Sequence, residues 1–260
     1  MNKGVAVITG AASGIGAGLA REACSRGMAV VLVDSDGDAL DMTAANLSGS
    51  VLARKIDVRD QAELNDLADF VYSRFDHVDL LFNNAGVLYS GRVWEINSEA
   101  WSKSFDVNVL GIINGLRTFI PRLIATEKPA RIINTASVGG FFSGPWLAPY
   151  SSSKAAVVAL TESLAHELAE VAPWISVSLL APGPVKTALL NDPTSNDSTG
   201  LVEKMRRLTE TSGADPEKYA RSIFSAIDRG DFWIVPQPES LDRRLVERTA
   251  MIIERRSPLD

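Results

Sequence analysis

Apolar residues along this chain fall into short β-rich runs separated by longer stretches of helical periodicity. Strands are expected at Val5–Thr9, Ala29–Asp34, residues 51–56, 78–82 and 131–136, Ile175–Leu180 and residues 232–235. These are near-continuous Val/Ile/Leu runs, the pattern of strands covered on both faces. Helices are expected at residues 15–26, Gln61–Arg74, 101–124 and 153–171. The alternation predicts an α/β fold: a doubly wound, Rossmann-type parallel sheet of about seven strands with helices on both faces. No repeat or low-complexity segment interrupts it, so residues 1–260 are expected to form a single domain.

The pattern changes after residue 182. Pro182, Pro184 and Pro193 flank a polar run through residues 191–198. Long loops in compact domains tend to cover sites, so residues 188–212 are expected to be a loop and helix over the bound substrate. The tail carries Leu241, Leu245 and Ile252 on one stripe, with Arg243, Arg244, Arg248, Arg255 and Arg256 around it. Those arginines read as a solvated face or as a subunit contact.

Bulk properties narrow the function classes. A net charge of −6, from 26 basic and 32 acidic residues, gives no basic patch for a phosphate backbone, so no nucleic-acid partner is expected. No apolar run of the sequence reaches membrane-spanning length, and the Val5–Thr9 run is too short for a signal-peptide core, so no membrane association is expected and the default location is the cytoplasm. Cys24 is the single cysteine and reads as a buried, inert thiol. His77 and His166 have no partners at metal-ligand spacing and read as structural or solvated, and no metal is expected.

The first strand runs into Thr9-Gly10-Ala11-Ala12-Ser13-Gly14-Ile15-Gly16, where a helix opens. Glycines allow a tight turn and close approach to a pyrophosphate, and the helix start offers free N–H groups to it. Gly10, Ser13, Gly14, Ile15 and Gly16 are therefore candidate dinucleotide contacts. Asp34 closes the second strand 18 residues beyond Gly16. A carboxylate there accepts hydrogen bonds from both ribose hydroxyls and repels a 2′-phosphate by on the order of a few kcal/mol. Ala12, Ser13 and Ser35 supply no cation for such a phosphate, which favours NAD over NADP. The alternative makes Asp34 a turn residue ahead of Ser35-Asp36-Gly37.

Tyr150 and Lys154 are spaced to share one helix face. An isolated tyrosine, with a pKa of about 10, is a poor base at neutral pH, and an adjacent ammonium stabilises its phenolate. Ser137 follows the strand at residues 131–136, at the carboxyl edge where open parallel sheets bind ligands, and its hydroxyl is placed to hold a substrate oxygen.

Together, Gly10-x-x-x-Gly14-x-Gly16, Asn83-Asn84-Ala85-Gly86, Ser137, Tyr150-x-x-x-Lys154 and Pro182-Gly183 resemble the short-chain dehydrogenase/reductases in their compact, single-domain form. The resemblance spans essentially the whole chain, in the family's motif order. It implies an NAD-dependent oxidoreductase moving a hydride between nicotinamide and a secondary alcohol or ketone. By it, Ser137 polarises the substrate oxygen, Tyr150 is the acid/base, Lys154 lowers the tyrosine pKa and holds the nicotinamide ribose, and Asn108 supports a water-linked proton relay. It also implies that Asn83, Ala85 and Gly86 border the adenosine ribose, that Asp57 and Val58 contact adenine, and that Pro182, Gly183, Val185 and Thr187 line the nicotinamide. A homo-oligomer, dimer or tetramer, is the family's expectation. The alternatives are an NADPH-dependent ketone reductase and a dinucleotide-sensing protein without turnover.

Tyr89, Gly139, Phe141 and Trp146 are candidate substrate contacts. Aromatics around the catalytic segment suit a bulky apolar or aryl-bearing alcohol or ketone. The alternative places Phe141, Phe142 and Trp146 in the core or at a subunit interface.

Overall fold

A computed structural model describes residues 4–186, 189 and 200–259, apart from the side chains of Val202, Leu208 and Ser212. Seven strands form one sheet: β1 (Val5–Thr9), β2 (Ala29–Asp34), β3 (Val51–Lys55), β4 (Leu80–Asn83), β5 (Ala130–Thr135), β6 (Ile175–Leu180) and β7 (Trp233–Ile234). Their order is β3-β2-β1-β4-β5-β6-β7, with every neighbouring pair parallel. The chain winds outward in one direction from β1 and in the other from β4. The β1/β4 boundary is therefore the switch point, the place beside which open parallel sheets bind ligands, at the carboxyl edge.

The strand pleat divides the core into two layers. Val5 and Val7 face a cluster with α3 (Gln61–Arg74), α5 (Gly111–Thr126) and α6 (Ala148–Val171), through Leu64, Leu67, Phe119, Leu123, Val157 and Leu168. Ala6 and Ile8 face the opposite cluster, with α1 (Gly14–Ser25), α2 (Gly37–Ala45) and α8 (Pro216–Arg229), through Leu19, Leu40, Ile223 and Phe224. Burial on both faces explains why the central strands read as continuous apolar runs. The edges differ. No residue of β3 is fully buried, and Trp233 of the two-residue β7 is 45% exposed, because each lacks a neighbour on one side.

Three features depart from expectation. The unexpected helix α2, Gly37–Ala45, is masked in the sequence by the turn-like Ser35-Asp36-Gly37; Asp36 caps it by accepting the Ala39 N–H at 3.1 Å. The helix expected at 101–124 starts earlier and is compound. α4 (Ser98–Phe105) passes through a π-helical turn at Asp106–Leu110, where Gly111 N–H reaches Asp106 O, before α5 begins. This continuous run, Ser98–Thr126, is long and apolar enough to cross a membrane, contrary to expectation from the sequence. Its residues Ile112, Leu116, Phe119 and Leu123 are buried in the core, which accounts for the apolarity. Finally, α7 (Leu201–Ser212) and α9 (Asp242–Glu254) complete the chain. Of the expected tail stripe Leu241 is buried, whereas Ile252 on α9 is 59% exposed.

Candidate active site

The glycine turn has the backbone its sequence demands. Gly10 (φ +67°) and Gly14 (φ +53°) occupy the left-handed region, where a side chain is strained. A Cβ at Gly16 would collide with Gly10 O, so α1 starts in close contact with the turn. Ser13, at the N-cap, makes no side-chain capping bond and is exposed, and Ile15 packs against the α1-side core. Two residues not singled out in the sequence brace this cradle. Thr9 Oγ1 accepts the Asn84 and Ala85 N–H groups (2.9 and 3.1 Å), and Asn84 Nδ2 donates to Thr9 O at 3.0 Å. Their signal was the adjacency of Thr9 to the turn and of Asn84 to Asn83.

Asp34 lies beside the cradle. One carboxylate oxygen accepts the Ala12 N–H at 3.0 Å and the other the Asp36 N–H at 3.1 Å. A cation invisible to local sequence also enters here. Lys55 pairs with Asp34 in register across β2 and β3, and its aliphatic stem lies under Gly37 at the start of α2.

On the other side of the switch point, the Asn83 side chain turns into the core, with Nδ2 donating to Asn134 Oδ1 at 2.9 Å. Gly86 stands between Asn108 and Lys154: a Cβ there would come within 3.2 Å of Asn108 Oδ1 and 3.4 Å of Lys154 Nζ. Asp57 is engaged by Arg59 at 2.6 Å, a contact that holds its carboxyl below the usual range, and Val58 is buried against Gly111.

The four candidate catalytic residues converge. Ser137 follows β5; its Oγ accepts the Gly139 N–H at 3.1 Å and lies 3.5 Å from Pro182 O. Gly139 borders both partners, since a Cβ there would lie 3.5 Å from Ser137 Oγ and from Tyr150 Cε1. Tyr150 and Lys154 occupy the first two turns of α6, which opens at Ala148 with Pro149 in its first turn, earlier than expected. Lys154 Nζ donates to Thr135 O at 2.9 Å and sits 5.9 Å from the Tyr150 ring centroid. Asn108, wholly buried in the π-helical turn, is held by Val87 N–H and C=O and donates to Ser153 Oγ at 2.9 Å. The inserted residue of a π turn re-aims side chains, and such turns recur at functional sites.

Burial dominates the electrostatics. It raises the Tyr150 phenol above its ordinary pKa, and the Ser137 hydroxyl acts in the lowering direction. Burial also pushes the Lys154 ammonium down to about 8.

Beside Tyr150 lies a small apolar cluster of Leu88 with Leu147, Leu189 and Met205. Met205 belongs to α7, so described parts of the 188–212 segment pack beside Tyr150. Thr187 and the rest of that loop lie outside the described residues. The aromatics are placed differently. Trp146 stands before α6 with a left-handed backbone (φ +67°), and its carbonyl accepts the Gly91 N–H at 2.9 Å. Phe141 packs on Trp233 with centroids 5.8 Å apart, and Tyr89 lies 5.9 Å from Lys103 Nζ; neither joins the Tyr150 cluster. Pro182 O accepts the Val138 N–H at 3.0 Å, while Val185 is buried and bridged to Ala214. His77 is engaged at both ring nitrogens, by Pro129 O and Thr126 Oγ1.

Comparison with known proteins agrees with this geometry. A family model described as short chain dehydrogenase matches residues 4–198. A dehydrogenase/reductase of CLA biosynthesis from Lactiplantibacillus plantarum is 30% identical over 252 residues, covering 90% of this chain and 88% of that protein. A C alpha-dehydrogenase from Sphingobium sp. is 32% identical over 248 residues, covering 90% and 81%. The crystal structure of a short chain dehydrogenase/reductase from Burkholderia phymatum in complex with NAD superposes with a TM-score of 0.95 at 34% identity, covering 100% of this chain and 97% of that one.

Proposed function

This chain belongs to the short-chain dehydrogenase/reductase family of oxidoreductases, and from that membership we propose that it is an NAD-dependent dehydrogenase acting on a secondary alcohol or its ketone. The observation that carries this reading is the convergence of Ser137, Tyr150 and Lys154 in one buried cluster at the carboxyl edge of β5.

The residues present fit a dinucleotide. Gly10 and Gly16 pack too closely against Ala85 and the Gly10 carbonyl to carry side chains, which keeps the turn tight enough for backbone to approach a pyrophosphate, and Asp34 offers a carboxylate at the ribose position. Ser13, Ile15 and the N–H groups opening α1 would hold the phosphates; Ala85, Gly86, Asp57 and Val58 would border the adenosine half. Lys154 and the turn through Pro182, Gly183, Val185 and Thr187 would border the nicotinamide half. When bound, the nicotinamide would supply the hydride acceptor and, oxidised, a positive charge.

The chain's own groups do the rest. Ser137 Oγ holds the substrate hydroxyl, and Tyr150 Oη, as phenolate, takes its proton. The proton returns to the ketone oxygen from the same atom in the reverse direction. Lys154 lies close enough to favour the phenolate, and its desolvation strengthens that influence while making the ammonium easier to lose. Asn108, fixed by its bonds to Val87 and Ser153, would support a water-linked proton relay. The cluster of Leu88, Leu147, Leu189 and Met205 supports an apolar body on the substrate, covered by α7. A cytoplasmic, homo-oligomeric enzyme acting on small molecules completes this reading.

One observation favours NADPH-dependent ketone reduction instead: Lys55, opposite Asp34, is a cation within reach of the region a 2′-phosphate would occupy. Asp34 stands nearer the cradle, bonded to Ala12, and its charge favours NAD. A panel of aryl, alicyclic, steroid-like and sugar alcohols, followed through the absorbance of the reduced cofactor, tests the reaction. Tyr150→Phe should lower kcat at least ~1000-fold while sparing NAD binding. Undiminished turnover in that variant would refute the role of Tyr150, and binding of NAD without turnover by the unaltered protein would favour a sensor.

A further inference from the structure

The turn after β6 is tied to three separate parts of the chain. Pro182 O accepts the Val138 N–H, next to Ser137, and Pro184 O accepts both the Ala214 N–H and Gln237 Nε2, each at 3.2 Å. Between them Gly183 is enclosed: a Cβ there would come within 2.5 Å of Gln237 Oε1 and 2.7 Å of Ser240 Oγ. Behind it, Tyr219 of α8 is 3% exposed, and the Gly183 N–H faces its phenol oxygen without meeting hydrogen-bond geometry.

Two polar atoms around this one residue are buried without a hydrogen-bond partner among the described residues: Tyr219 Oη and Gln237 Oε1. The bond from Gln237 Nε2 to Pro184 O sets the orientation of the amide, so the unpartnered atom is the acceptor. The phenol brings a donor. Leaving either alone is unfavourable, and buried polar groups of complementary kind are commonly joined directly or through one ordered water.

We infer that Tyr219 and Gln237 form a latch, closed through one ordered water, that holds the Gly183 peptide in the shape that receives the nicotinamide end of the cofactor. Both are positioning residues: neither touches the reacting atoms, and both act through the Pro182–Pro184 backbone. The latch also couples the C-terminal segment, through Gln237, to the catalytic edge. This inference rests on the reading above that the turn borders the nicotinamide.

The test uses Tyr219→Phe, which keeps the ring, Gln237→Met, which keeps the side-chain bulk, and the double variant. Each is titrated calorimetrically with NAD and with ADP-ribose, which lacks the nicotinamide. Each single change should weaken NAD binding roughly 5–20-fold while ADP-ribose binding changes less than about twofold. The double variant should lose no more than about the larger single loss, because either change opens the same latch. Unchanged NAD affinity, equal losses of NAD and ADP-ribose, or additive losses would overturn the latch. If either single variant fails to fold, the other decides by the same NAD against ADP-ribose comparison. Absence of NAD-linked alcohol oxidation in the unaltered protein would instead remove the underlying assignment of the turn.

Discussion

Replacing Lys154 with methionine should stabilise the ligand-free protein while abolishing turnover. The lysine is 3% exposed, and burial alone drives its pKa from 10.5 down to about 8. At neutral pH that shift corresponds to about 3 kcal/mol against the charged form. Methionine removes this cost at similar length. It also removes the 2.9 Å bond to Thr135 O, and leaving that carbonyl without the donor costs about 1–2 kcal/mol. The net gain at pH 7 is about 1–2 kcal/mol, or a Tm increase of roughly 2–6 °C for a domain of this size. The pH dependence identifies the cause. The unfolded chain keeps this proton up to about 10.5 and the folded chain only to about 8, so between those values the unfolded state binds more protons and this group's contribution to stability rises with pH. The unaltered protein should therefore close the gap above pH 8. Near pH 10.5 it should overtake the variant, since the neutral amine still bonds to Thr135. Thermal unfolding of both proteins from pH 7 to 10.5, followed by circular dichroism, measures this crossover. A variant that is less stable at pH 7, with an offset constant across the range, would refute the claim that desolvation of the buried ammonium is the source of strain.

Other perturbations probe the cofactor edge and the turn before α6. Asp34→Asn removes charge while keeping shape, and should shift the NADP-to-NAD ratio of kcat/KM toward NADP by at least ~30-fold, with Lys55 left as the available cation; an unchanged ratio in steady-state kinetics would show that Asp34 does not select the cofactor. Trp146→Gly should be more stable than Trp146→Ala by about 1 kcal/mol, because only glycine occupies φ +67° without strain. Thermal melts of the pair decide this, and alanine being the more stable would mean that the turn relaxes at no cost.

Much of the site was legible in the sequence because it rests on local rules. Gly10 and Gly14 occur where the backbone turns left-handed, and Tyr150 and Lys154 are placed together by helical spacing alone. The central strands were legible because burial on two faces leaves an unbroken apolar run. Local rules failed where a neighbour distant in the chain decides the environment. Lys55 is 21 positions from Asp34, and only the β2–β3 register brings them side by side. Asn108 lies in what reads as an ordinary helix, and the π turn that buries it depends on Val58 packing against Gly111 and on Val87 and Ser153 receiving its amide.

The aromatic and apolar residues near the catalytic segment make the same division. Phe141, Tyr89, Leu88 and Met205 are all plausible pocket residues by type. Packing sends Phe141 to the β7 edge and Tyr89 toward α4, and selects Leu88 and Met205 for the neighbourhood of Tyr150. By itself the sequence determined the layered α/β architecture, the glycine turn after β1 and the pairing of Tyr150 with Lys154 on one helix face, because periodicity and backbone conformation are properties of adjacent residues. Tertiary structure alone decided the switch point, the company of Asp34 and the apolar neighbours of Tyr150, because those depend on which surfaces meet when the sheet assembles.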